Sequence, residues 1–168
     1  MSNSDLKVEA RGERALVISR TFNAPVEMVF DAHTKPELVR QWLLGPEGWT
    51  MPVCEIDLRP GGRYRYVWKK EKTGDEMGMG GEFKEVTRPE KYVATEKFDE
   101  SWYPGEGLST TTFEERAGKT YFQNVMQYES RAAREAVLAS PMEEGLVVGY
   151  DRLESLLNKQ AQAAGQGE

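Results

Sequence analysis

The chain has 168 residues, a formal net charge of −6, 39% hydrophobic and 30% charged residues, one cysteine (Cys54) and one histidine (His33). That size suits a single domain burying roughly two-thirds of its surface. An acidic chain without a basic tract is a poor match for nucleic acid or an anionic membrane. A lone cysteine excludes an internal disulfide, and one Cys with one His cannot build a structural zinc site, so neither a metal nor another cofactor is expected.

Residues 1–13 are polar, lack the apolar stretch of a signal peptide, and read as a loose lead-in. No run approaches the ~20 apolar residues of a membrane span. With the lone cysteine, these features predict a cytoplasmic protein.

ALVISRTF (15–22) reads as a strand. Asn23-Ala24-Pro25 then opens a helix with Val26, Val29 and Phe30 on its apolar face, and Thr34-Lys35-Pro36-Glu37 opens a second, carrying Leu38, Val39, Trp42 and Leu43. Gly45-Pro46-Glu47-Gly48 stops it. From residue 53 the period changes to two. VCEIDL (53–58) alternates, and RYRYVWKK (63–70) puts Tyr64, Tyr66 and Trp68 on one face, away from Arg63, Arg65 and Lys69. Met77, Met79, Gly81 and Phe83 share the next strand's parity. YVATEKF (92–98), LSTTTFEE (108–115) and TYFQNVMQYES (120–130) complete about six strands after the helices. A helix capped by Ser130 or Ser140 follows, with Met142, Leu146, Gly149, Leu153 and Leu156 at helical spacing. Residues 159–168 read as a frayed tail, which leaves one domain over 14–158. The order predicts an α+β fold in which a curved antiparallel sheet of six or seven strands wraps the long C-terminal helix.

The segments FNAPVEMVFDAHTKPELVRQWLLGPEGWTMP, EIDLRPGGRYRYVW and MEEGLVVGYDRLESLL, in that order, resemble the activator-of-heat-shock-ATPase-like family of the START-related, birch-pollen-allergen-like (SRPBCC) superfamily. The resemblance implies the helix-grip fold, with a cavity between sheet and helix used for lipids, polyketides and other hydrophobic molecules. It also implies three uses: carrying a ligand, cyclising or hydrolysing one, or stimulating a chaperone ATPase. The eukaryotic chaperone activators carry a further N-terminal domain, and with a single domain expected here the resemblance favours the other two uses.

The candidate ligand-binding residues follow from the fold and the parity of each strand. Tyr64, Tyr66, Trp68, Met79 and Phe83 line one half of the concave face. Phe113, Asn124, Met126 and Tyr128 line the other, provided the register of 121–128 holds. Met142, Leu146 and Gly149 of the last helix, with Trp42, close the space. Aromatic stripes also fill ordinary cores, and Asn124 is equally a polar anchor or a partner for hydroxyls within the sheet. Gly145 and Gly149 each cost a helix about 1 kcal/mol, either for close packing or to leave room for a ligand. The loop between Trp42 and Trp49 could gate the mouth.

Other features read as structural. His33 is expected at an exposed helix end, Cys54 as a buried small residue, Asp57 with Arg59 or Arg63 as a surface ion pair, and Gly78–Gly81 as a bulged strand rather than a phosphate loop. An enzyme would have to rely on Tyr, Asn or Glu96, because no nucleophile with a base and no paired inward carboxylates stand out. The expected partner is a small hydrophobic molecule, a lipid or an aromatic polyketide-like compound, and a homodimer through an exposed strand is compatible with the pattern.

Overall fold

The computed structural model describes residues 6–45 and 47–166. Strands β1 (Lys7–Arg11), β2 (Ala15–Phe22), β3 (Trp49–Ile56), β4 (Arg63–Lys70), β5 (Glu76–Thr87), β6 (Lys91–Phe98), β7 (Gly107–Arg116) and β8 (Lys119–Gln127) form one antiparallel sheet in the order β1-β2-β8-β7-β6-β5-β4-β3. Helices α1 (Val26–Thr34) and α2 (Pro36–Trp42) carry the chain from β2 to β3 at the far edge. After β8 come α3 (Arg131–Leu138) and the long α4 (Met142–Gln166). This is the helix-grip architecture.

Burial follows the alternation on β4, where Tyr64 and Trp68 are buried and Arg63 and Arg65 exposed, whereas β2 is buried on both faces from Leu16 to Arg20. On β2 the inward residues Leu16, Ile18 and Phe22 are buried, and across the ladder Phe122 and Met126 of β8 match them. Register shifts in β3, between Thr50 and Val53, and in β5, between Phe83 and Glu85, mark irregularities of the kind that bend a sheet. The second falls beyond the Gly78–Gly81 stretch where a bulge was expected.

Helix α4 lies on the concave face. Tyr150, Leu153 and Leu157 are buried against Phe22 and Phe122. Arg20, itself buried on β2, holds the helix through an ion pair to Asp151 at 2.9 Å. Ser130 caps α3 by accepting from the amide of Ala133.

Three sequence expectations need correction. The lead-in is not loose throughout: Lys7–Arg11 pairs with Ala15–Ser19 through a tight turn and adds an eighth strand. The tail is shorter than expected, because α4 continues to Gln166. His33 is buried, not exposed, because α1 runs one turn past Phe30 and residues 29, 30 and 33 share its inward face.

Candidate functional site

Among the described residues the buried apolar side chains fall into three clusters. One gathers Phe22, Phe30, Trp42, Phe113, Phe122, Tyr150 and Leu153. A second gathers Tyr64, Trp68, Met79, Phe83 and Ala94, and a third Leu16, Tyr103, Met126, Tyr128 and Val137. Tyr92 touches the first and second, Phe98 the second and third, and Met142 the first and third.

Tyr92 sits where the first two clusters meet, Tyr66 packs against the second cluster, and Glu96 follows Tyr92 and Ala94 on the same face of β6. Each has protein on every side, yet each keeps enough accessible surface to be only half-buried. Incomplete burial sets these three side chains apart from the fully buried Phe22, Phe30 and Phe122 of the first cluster. Strand parity explains the grouping. Tyr66 faces inward with Tyr64 and Trp68 on β4, and on β6 Tyr92, Ala94, Glu96 and Phe98 share one face.

Glu96 dominates the electrostatics. Burial alone lifts its carboxyl from 4.5 to about 7. No described side chain or backbone group donates a hydrogen bond to it. Around it stand Tyr64 and Tyr66 of β4, Tyr92 of β6, Tyr103 in the loop after β6, Tyr128 after β8 and Tyr150 of α4. Burial raises the pKa of all six phenols, Tyr92 to about 12, and the charge of Glu96 adds to each rise. Opposite Glu96 on β7 is Gly107, so no side chain from that strand covers the carboxyl; Met126 and Tyr128 occupy the space beside it.

The polar strip on the next strands is satisfied from within. Asn124 donates to Ser109 Oγ at 2.7 Å and to Thr111 Oγ1 at 2.9 Å, and Thr111 also bonds the Tyr92 phenol. Asn124 is thus a partner for sheet hydroxyls, one of the two readings the sequence left open. Tyr64 donates to the carbonyl of Thr95 at 2.7 Å, and Trp68 to that of Leu43 at 2.8 Å.

The sequence candidates divide accordingly. Tyr66 is incompletely buried on the inner face of β4, and Met126 and Tyr128 lie beside Gly107, the ladder partner of Glu96. Trp68, Met79 and Phe83 form the wall of the second cluster. Met142 and Leu146 are half-buried over the first cluster. Phe113 and Trp42 lie in its solid part: Trp42 stacks on Tyr150 at 5.3 Å and donates to Ala32 O. Gly149 packs on Trp42, whose carbonyl oxygen a Cβ there would meet at 3.6 Å, whereas a Cβ on Gly145 would meet nothing within 4 Å. The loop after Trp42 is held by Trp68 on Leu43 and by Arg152 on Gly45 O at 2.7 Å; Pro46 lies outside the described residues.

His33 sits in the solid part of the core, ringed by Phe22, Trp42, Phe113, Phe122 and Tyr150. Burial drops its pKa to about 4, its Nδ1 pairs with Val29 O at 2.8 Å, and Nε2 has no partner. It is a neutral core group. Cys54 is buried and its thiol is pushed up by burial, and Asp57 pairs with Arg59 on the surface at 2.9 Å, as the sequence suggested. No group of three or more His, Cys, Asp or Glu among the described residues could hold a metal. No described helix is long and apolar enough to cross a membrane.

On the outer face, a shallow depression is lined by Arg63, Arg65, Glu82, Lys84 and Asp99. Two of its charge pairs are satisfied within it, Arg65 with Asp99 and Lys84 with Glu82, and Arg63, Lys97 and Glu106 also line it.

The sequence reading used Glu96 only as a fallback for catalysis and omitted Tyr92 and Tyr150. The signal for Glu96 was present: in YVATEKF, Tyr92, Ala94, Glu96 and Phe98 alternate with Val93, Thr95 and Lys97, and a carboxylate inside an apolar stripe is the informative exception.

The family model described as Activator of Hsp90 ATPase homolog 1-like protein matches residues 23–158. No curated protein matches the chain. Among solved structures, a protein from Rhodobacter sphaeroides is 28% identical, with 92% of this chain and 98% of that one covered at a TM-score of 0.86. A Mycobacterium smegmatis protein is 26% identical, with 90% and 97% covered and a TM-score of 0.76. A Nitrosomonas europaea protein at 24% identity, with 91% and 99% covered and a TM-score of 0.78, shares the fold.

Proposed function

The chain belongs to the Activator of Hsp90 ATPase homolog 1-like family, and from that premise we propose that it binds a small, largely hydrophobic molecule in the recess between the sheet and α4. The observation that carries the reading is the incomplete burial of Tyr66, Tyr92 and Glu96 on the inner face of β4 and β6. Tyr64, Tyr66, Trp68, Met79, Phe83, Met126, Tyr128, Met142 and Leu146 would supply the apolar walls, with Phe113, Asn124, Trp42 and Gly149 holding those walls in place. The working unit is a single domain over 14–158 extended by β1, in a reducing, cytoplasmic compartment where the lone thiol of Cys54 stays free.

Burying about ten methylenes contributes roughly 8 kcal/mol at ~0.8 each, and association takes back several of these. Apolar contact alone therefore gives weak binding, and the polar groups of the recess decide which ligand is held. Native mass spectrometry of protein isolated from its own host tests the proposal. A stoichiometric adduct of a few hundred daltons is expected; bare protein, with no displacement of an environment-sensitive dye by aliphatic or aromatic compounds, would refute it.

The carboxyl of Glu96, near neutrality and beside six phenols, also suits a proton donor or acceptor. A cyclase or hydrolase acting on the bound molecule is therefore the second reading. Chemical conversion of a captured ligand on incubation, stopped in Glu96→Gln, separates it from simple carriage.

A further inference from the structure

We propose that Glu96 anchors an ammonium group, so that the preferred ligand is a small amphipathic amine whose apolar body lies along the aromatic wall. The inference rests on the ligand-binding reading above and narrows it to a ligand class.

Four observations point to a cation. First, Glu96 is on the inner face of β6 opposite Gly107, so its carboxyl is uncovered by the neighbouring strand. Second, among the described residues it has no hydrogen-bond donor, and burial is the sole cause acting on its ionisation, with no arginine or lysine contributing. A deep carboxylate without donor or counter-ion is unfavourable, and an incoming ammonium supplies both the charge and three donors. Third, six tyrosines from β4, β6, β8 and α4 and their adjoining loops lie within reach of its charge. Aromatic faces attract cations and repel anions. Fourth, four of those rings brace one another, Tyr64 on Tyr66 at 5.2 Å and Tyr103 on Tyr128 at 5.3 Å, so their positions are set before a ligand arrives. A fatty acid would bring a second negative charge to the same place. An alcohol would leave the carboxylate without a counter-ion.

The test is competition binding with three ten-carbon probes, n-decylamine, n-decanol and decanoate, at pH 8 and about 0.15 M salt, where attraction to the acidic surface is screened. Decylamine is expected to bind at least about tenfold tighter than decanol, with decanoate weakest, and Glu96→Gln is expected to bring the amine and the alcohol together. Equal affinities in the wild type, or an amine preference that survives Glu96→Gln, overturns the inference while leaving a binding site for apolar chains. If none of the three binds, the ligand-binding reading falls and this one with it.

A pH series on the wild type decides the matter even if the variant does not fold. The amine stays charged throughout, the six facing phenols stay neutral, and His33 of α1 remains neutral down to about pH 4. Only Glu96 titrates in the recess near neutrality, so the advantage of decylamine over decanol is expected to shrink from pH 8 to 5.5. A ratio that does not move with pH counts against the anchor.

Discussion

Glu96 faces Gly107 directly across the β6–β7 ladder, and a Cβ on Gly107 would meet the terminal methyl of Met126 at 2.9 Å. That methyl is the far end of a flexible side chain, so Gly107→Ala is expected to fold, with a loss of stability under about 1 kcal/mol. The displaced thioether then intrudes beside the carboxyl. Affinity for decanol and decylamine should fall together, several-fold, and isothermal titration alongside urea denaturation checks both halves.

The fully buried and the incompletely buried parts of the interior should respond differently to mutation. Phe122 is fully buried among Phe22, His33, Phe113 and Tyr150, so Phe122→Ala should cost about 3–5 kcal/mol. The phenol of Tyr66 makes no hydrogen bond within the described structure, and Tyr66→Phe should change stability by less than about 0.5 kcal/mol. A large loss for Tyr66→Phe in chemical denaturation would mean that its hydroxyl is tightly held.

Stability should carry two opposing pH slopes. The folded state keeps His33 neutral down to about pH 4, whereas the unfolded chain protonates it near 6.5. The folded protein thus binds fewer protons in that window. The contribution is fully present above pH 6.5 and is lost as pH falls to about 4, by about 3 kcal/mol at 1.36 per pH unit. Glu96 acts in reverse: its folded pKa is raised to about 7 from 4.5, so its contribution is present below 4.5 and is lost as pH rises to 7. Wild-type stability should therefore be nearly flat from about pH 4.5 to 6.5. His33→Phe should leave stability falling with pH across that range, and Glu96→Gln should leave it rising; urea titrations at stepped pH read the sign.

The glycines of α4 make a simpler test. A Cβ on Gly149 would reach Trp42 at ordinary contact distance, and one on Gly145 would meet nothing. Gly145→Ala and Gly149→Ala should each stabilise the helix by up to about 1 kcal/mol, seen as a higher Tm. A loss at Gly149 would show the helix more tightly seated on Trp42.

Much of the fold was legible because its signals are local. The period-two stripes of β4 and β8 and the apolar spacing of α4 are read from neighbours in sequence, and each points to one face. The inward placement of Asn124, Met126 and Tyr128 followed from the same alternation. What escaped depends on distant partners. His33 could be known as buried only once α1 was seen to be covered by Phe113, Phe122 and Tyr150. Residues 7–11 have an exposed, polar composition that gives no reason to pair until Ala15–Ser19 is beside them. Arg20 looks like a surface charge until Asp151, more than a hundred residues later, meets it. Glu96 lies between these cases: its parity was local information, but its isolation from any cation is a property of the assembled interior.

A small apolar molecule held between the sheet and α4 would be detected most directly by methyl-methionine NMR. With methyl-13C methionine throughout, titration with n-decanol should shift the methyls of Met126, Met79 and Met142, which lie in or against the three inner clusters where binding is proposed, and leave exposed Met77 in place. Shifts confined to Met77, or no saturable shift at any methionine, would contradict the account.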